Sequence, residues 1–414
     1  MTTKQPARLR VILEYLNQAI RLLPHFNDTL RLPIDDAAQA REKFLQEVAL
    51  FLLIAKRTAH QVPDALDVGF LGRTLQGLAT AFDLPKFVDT IKAFPQAALA
   101  FGPLAAALDL YGEPNHPVSR AVREATASIW YLAAERKPFR QLEALWLRNV
   151  IRHEAHSLDD MMRASIVARR THPCFMLLTD AYAKTHCAMY LTDFGALPRL
   201  EGVDQDALKA DFDHDLAWTF ACADWDLIGE VIVAGRYCLD TLSPWHRVCE
   251  AALDAVFDKF GFLPTRTLDL QYLSSLAGDR QETYRLFHSY HTNVVYGLGL
   301  LSQLTRQKVN DEAPVATPVG IDNPFQILNE IGVSLNLVGS GFDRNWYDES
   351  FNDINIDWDF MTDGLLIRVF RDEGVDCARR FMGASAVPPL QSRLAQTWHI
   401  LQRHVRLIDQ ITLS

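Results

Sequence analysis

Three short stretches concentrate side chains able to do chemistry. In DAYAKTHCAMYLTDFG (180–195), Tyr182, His186, Tyr190 and Asp193 recur at helical spacing and share one stripe. Gly195 stands where a left-handed residue would end such a helix. A carboxylate near a helix C-terminus opposes the helix dipole, so Asp193 carries an electrostatic cost that asks for a role. In ADWDLIGE (223–230), Asp226 and Glu230 are four residues apart and share a face, while Asp224 fits the helix N-cap. In YRLFHSYHTNVVYG (284–297), Tyr284, His288 and His291 form a third stripe, with Thr292 and Asn293 beside it as hydrogen-bonding groups.

These residue types support two chemistries. His186, Asp193, Asp226, Glu230 and His291 are the candidate catalytic set, two imidazoles and three carboxylates. They could hold one divalent metal ion, with His186, Asp193 and His291 as its ligands, and so activate water or orient a substrate. They could equally run metal-free general acid–base catalysis, with a carboxylic acid of raised pKa as proton donor. Tyr182, Tyr190, Trp225, Tyr290 and Thr292 are the candidate substrate contacts. The competing reading of each stripe is structural: hydrogen-bonded core groups for the imidazoles and phenols, a solvated face for Asp226 and Glu230. His153 and His156 have similar spacing but charged neighbours, which fits a cap or a surface role. The alternating acids of DFDHD (211–215) read as an exposed helical turn.

Other chemistries are excluded by what the chain lacks. No HExxH occurs, no glycine-rich dinucleotide or phosphate loop, and no GxSxG elbow, so no nucleotide cofactor is expected. DINIDWD opens like a calcium loop, but Trp358 stands where glycine is needed and Gly364 where a bidentate glutamate is needed.

The elements that must position these groups are almost all helical. Apolar residues at i, i+3, i+4 spacing predict helices over about 8–24, 36–60, 66–81, 85–97, 100–111, 117–135, 138–153, 157–168, 172–193, 205–220, 222–241, 244–260, 279–304 and 389–411. YGEPNHP (111–117) and KFGFLPTRT (259–267) break the pattern as turns. Residues 306–324 lose periodicity and read as a surface linker, after which PFQILNEIGVSLNLVG resumes a helix. DINIDWDF (353–360) alternates polar and apolar and predicts one short extended segment. The fold class is therefore all-α. Stacked helical hairpins form an α/α-toroid-like body, with a curved α-solenoid as the alternative. The chain divides into N-terminal helices (1–115) continuous with the main body, a motif-bearing body (116–305), the linker (306–324) and C-terminal helices (325–414).

The 414 residues carry 49% hydrophobic and 22% charged side chains and a formal net charge of −10. That balance argues against nucleic acid or an anionic membrane as partner. No apolar run is long enough to span a bilayer, and the basic, amphipathic N-terminus lacks a secretory h-region. A cytoplasmic protein acting on a small-molecule or peptide substrate is expected, with its oligomeric state open.

Together the three motifs resemble an uncharacterised bacterial all-helical family marked by YxxTHxxxYxTDFG, WDLxxE and YHTxxV. The matching residues are Tyr182, Thr185, His186, Tyr190, Thr192, Asp193, Phe194 and Gly195; Trp225, Asp226, Leu227 and Glu230; and Tyr290, His291, Thr292 and Val295. The resemblance covers about residues 130–305 and brings no activity with it. Lys184 departs from it, standing where an apolar residue is expected. The functional expectation is an enzyme of hydrolase, lyase or cyclase type with a His/carboxylate cavity at the centre of a toroid. The alternative is a helical-repeat scaffold that binds a protein or peptide. A terpenoid-type cyclase is disfavoured by the lack of DxDD or DDxxD.

The six cysteines (174, 187, 222, 238, 249 and 377) form no CxxC pair and sit in apolar helical patterns, so all are expected as free thiols. A thiol titration in denaturant without reductant should count six per chain; a shortfall of two or more would contradict the reading.

Overall fold

The computed structural model describes residues 4–25, 34–169, 171–197, 200, 202–265, 268–305, 310–311, 358–383 and 392–412. Among them the chain is all-α. Helix starts follow local chemistry. Asp67, Asp204, Asp224 and Asp269 each accept a hydrogen bond from a backbone N–H of the first turn. Pro117, Pro138 and Pro244 occupy first-turn positions, where the missing N–H costs nothing. Gly261, at φ 73°, ends Pro244–Phe260, as the FGFLP turn anticipated.

The packing that matters for function is a closed circuit. Helix Ile34–Thr58 packs on Tyr290–Thr305, which packs on Trp225–Cys238, then on Leu178–Leu191, Pro138–Arg152 and Ala98–Leu110, which returns to Ile34–Thr58. Helices between these in sequence pack on the circuit's members: Pro117–Ala127 on Ala98–Leu110 and Pro138–Arg152, and Gln205–Ala221 on Trp225–Cys238. Among the described residues, one apolar cluster includes buried side chains from Leu9 to Leu401. The circuit is tight: a Cβ on Gly229 would lie 2.8 Å from Val295 Cγ1, so glycine sets how closely two of its helices approach.

Four local expectations are corrected. The helix expected over 279–304 is two, Gly278–Phe287 and Tyr290–Thr305. Thr265 takes the His288 carbonyl through both its N–H and its hydroxyl, and Asn293 Nδ2 donates to Ser289 O, so the backbone here has other partners. The stripe Tyr284–His288–His291 is therefore interrupted. Asp213 and Asp215 of the supposedly exposed DFDHD are buried, and His214 Nδ1 lies 2.8 Å from Asp363. Helix Leu178–Leu191 ends before Asp193, which has φ 45°, and the left-handed turn runs on through Phe194 and Gly195. The segment expected to be extended at 353–360 ends in a helix: Trp358–Phe360 open Trp358–Glu373, while 353–357 lie outside the described residues. The 306–324 linker and the helix after it also lie outside them, apart from a two-residue parallel pairing of Asn310–Asp311 with Thr241–Leu242. No described helix is long and apolar enough to cross a membrane.

Lys184, the departure noted in the sequence, is 1% exposed, with its Nζ 2.7 Å from Asp215 Oδ2. A buried pair of this kind costs desolvation twice and holds only while both partners remain. Lys184→Met alone should therefore lower unfolding stability by about 3–5 kcal/mol, because it strands the Asp215 carboxylate. Lys184→Met with Asp215→Leu should recover most of that loss in chemical denaturation. A double variant no more stable than the single one would contradict this account.

Candidate active site

The YxxTH part of the first motif points at the WDLxxE helix. The Leu177 N–H donates to Asp180, which fixes the start of Leu178–Leu191. One turn on, Tyr182 OH donates to Asp226 Oδ2 at 2.9 Å, and Thr185 Oγ1 donates to Glu230 Oε2. His186 Nε2 lies 3.6 Å from Glu230 Oε1. On the receiving helix, Asp224 caps the N-terminus through Leu227 N. Asp226 thus sits in the first turn, where the helix dipole favours an anion, and Glu230 stands on the same face one turn later.

His291 completes the group from the next helix of the circuit. Its Nδ1 donates to Glu47 Oε2 at 2.9 Å, which turns Nε2 towards Asp226 Oδ1 at 3.2 Å and Glu230 Oε1 at 3.6 Å. Donor atoms of Asp226, Glu230 and His291 all lie within 4.8 Å of one another. Asp226 Oδ1 is buried and receives no hydrogen bond. Glu230 is buried, while His186, Asp226 and His291 remain partly open to solvent.

Every ligand-capable group is held from behind: Asp226 by Tyr182, Glu230 by Thr185, His291 by Glu47. Such outer contacts fix the rotamer and tautomer of a metal ligand and leave its remaining lone pair directed inward. Beyond His186, Tyr190 OH donates to Glu143 Oε1 at 3.1 Å, and Gln46 and Arg140 also donate to Glu143.

The charges in this network shift one another. Burial by itself lowers both imidazole pKa values, but the facing carboxylates outweigh it. Asp226 and Glu47 hold His291 well above the ordinary 6.5, and Glu230 and Glu143 hold His186 above it. Burial by itself raises the carboxyl pKa values, and the imidazoles outweigh that in turn. His186 and His291 hold Glu230 below the ordinary 4.5, and His291 with Lys43 holds Glu47 below it. Burial, then the neighbouring acids, pushes Tyr182, Tyr190 and Tyr290 upward, so all three phenols remain hydrogen-bond donors.

The structure thus brings together His186, Asp226, Glu230 and His291, with Tyr182 and Tyr190 at their edge. It sets Asp193 elsewhere. Both Asp193 oxygens are taken by the Arg57 guanidinium, and Trp146 Nε1 donates to Oδ1 at 2.7 Å. The expected cost of an acid after a helix C-terminus is offset by those partners. Of the three groups read from the sequence as metal ligands, His291 lies in the cluster, His186 lies across Glu230 from it, and Asp193 is committed to Arg57. Trp225 is a core residue, edge-on to Phe220 at 6.3 Å. Tyr290 packs on Phe44 at 4.8 Å and reaches Glu47. Thr292 is 1% exposed, and its hydroxyl has no partner. His288 stacks on Tyr284 away from the cluster, and His153 is a left-handed helix cap.

Glu47 and Glu143 escaped the motif reading. Their signal was available. Each is a lone acid on an otherwise core-facing stripe: Glu47 between Phe44 and Phe51, Glu143 between Phe139 and Trp146.

A family profile described as "Domain of unknown function (DUF6895)" matches residues 10–300, which extends the likeness well upstream of the 130–305 stretch that carries the motifs. No curated protein and no solved structure matches the chain.

The shifts fix a pH window. His186 and His291, raised in the fold, contribute stability that is complete below 6.5 and lost as pH climbs through their raised values. Glu230 and Glu47, lowered in the fold, contribute stability that is present above 4.5 and lost as pH falls through their depressed values. In chelator-treated protein, His291 ring resonances should still report imidazolium at neutral pH. A midpoint at or below 6.5 would contradict the network.

Proposed function

The chain belongs to the family described as a domain of unknown function, DUF6895, and we propose that it is an enzyme built around one divalent metal ion held by Asp226, Glu230 and His291. The observation that carries this reading is the convergence of three inward-facing donor atoms within 4.8 Å, each ligand held from behind by its own outer partner. The circuit of packed helices is read as the inner ring of an α/α toroid, with the cluster facing the interior of the ring.

Two carboxylates and one imidazole suit Mn²⁺, Fe²⁺ or Zn²⁺ better than a cation that takes oxygen alone. Such an ion would polarise a substrate carbonyl or phosphoryl group, or lower the pKa of a bound water. His186, partly exposed and 3.6 Å from Glu230, is placed to pass a proton beside it. The substrate is a small polar molecule or a peptide, of the hydrolase or lyase class. Six free thiols fit a reducing, cytoplasmic setting.

A second reading has its own support. With Glu47 at Nδ1 and Asp226 at Nε2, His291 is also well placed to remain imidazolium and serve metal-free acid–base chemistry. A scaffold gains nothing from burying two imidazoles among four carboxylates, since each unpaired member would cost several kcal/mol (~1–3 for each unmade hydrogen bond).

The two enzyme readings separate by titration. Chelator-treated protein should bind Mn²⁺ or Zn²⁺ at one ion per chain, more weakly as pH falls because the ion must displace the His291 proton. His291→Ala and Asp226→Asn should abolish binding, while Tyr182→Phe and Thr185→Val should weaken it by about 10–100-fold. No uptake by folded wild-type protein at neutral pH would remove the metal reading and leave the acid–base one.

A further inference from the structure

A second region of the molecule carries a site of its own, independent of the metal reading. A half-open cavity of about 840 Å³ lies between the ends of Ile34–Thr58 and Ala98–Leu110, the helix Pro138–Arg152, the connection 153–158 and the turn 193–197, with Leu200 beside it. That volume falls in the range of small-molecule sites. Its walls are largely apolar, with Leu53, Leu110, Met162, Leu191 and the Trp146 indole among them. Two lining residues, His153 and Asp193, are non-glycine residues held at positive φ, at 53° and 45°. Backbone strain of this kind persists where the surroundings over-determine it.

The polar groups of the lining decide the ligand. The lining carries two arginines, Arg57 and Arg123, against four carboxylates, Asp109, Glu154, Asp159 and Asp193. Arg57 and Trp146 occupy Asp193, and Arg148, Arg152 and His156 occupy Glu154. Arg123 takes Asp109 Oδ2 at 2.8 Å, but Asp109 Oδ1 is buried and receives nothing. Because Asp109 lines the cavity, an ammonium donor entering it would supply the partner that this oxygen lacks. Each arginine already faces a carboxylate, so the lining keeps two more carboxylates than arginines.

We propose that this cavity binds an amphipathic organic amine: an apolar body against the leucines and Trp146, and an ammonium group hydrogen-bonded to Asp109. The test is calorimetric titration with n-octylammonium and, at equal chain length, octanoate. Octylammonium should bind one per chain and at least about tenfold tighter than octanoate. Asp109→Asn should bring the two close to parity. Leu110→Trp, at a side chain already 43% exposed, should block both and keeps the test open if the Asp109 variant does not fold. Equal or tighter binding of octanoate, no octylammonium uptake, or uptake that survives Leu110→Trp would overturn the proposal.

Discussion

A charged imidazole between carboxylates, placed among apolar helices, is the constraint on which the site depends. His291 meets Glu47 on one ring nitrogen and Asp226 and Glu230 on the other. Removing these groups from water is expensive, and only mutual pairing offsets the cost. Each group belongs to a different helix of the circuit or to a different turn of one helix, so the network forms only if the helices close on one another. In this sense packing and electrostatics are one problem here: Gly229 lets two helices approach, and that approach brings Val295, and with it the start of the helix that carries His291, against the face that carries Asp226 and Glu230.

The same logic recurs away from the site with a different result. Lys184 and Asp215 form a buried pair sealed from solvent, so the Asp215 oxygen that lacks a partner lies out of a ligand's reach. At the cluster, by contrast, the groups can be reached: His186, Asp226 and His291 stay partly exposed. The difference between a structural ion pair and a candidate reaction centre lies in access to water, not in the residue types.

Much of the site is legible from spacing because helical geometry is strict. Tyr182, Thr185 and His186 lie on adjacent parts of one helical face, and Asp226 and Glu230 are one turn apart, so any helix through them presents them together. Asp193 was grouped with them by continuing the same period, and failed to join because the helix ends at Leu191 and the chain enters a left-handed turn. The stripe through His288 failed for a related reason: the His288 carbonyl is taken by Thr265, 23 residues earlier, and the chain starts a new helix at Tyr290. DFDHD read as exposed because period alone cannot say that Lys184, 31 residues earlier, would reach Asp215. Glu47 is 244 residues from His291, and no local pattern carries that contact.

The central claim is that Asp226, Glu230 and His291 share one ion. Crystals grown with Mn²⁺ and measured on both sides of the metal absorption edge test it most directly. The account predicts one anomalous peak within about 2.0–2.4 Å of Asp226 Oδ1, Glu230 Oε1 and His291 Nε2. A map with no peak there, and with His291 Nε2 still directed at the Asp226 carboxylate, would contradict it.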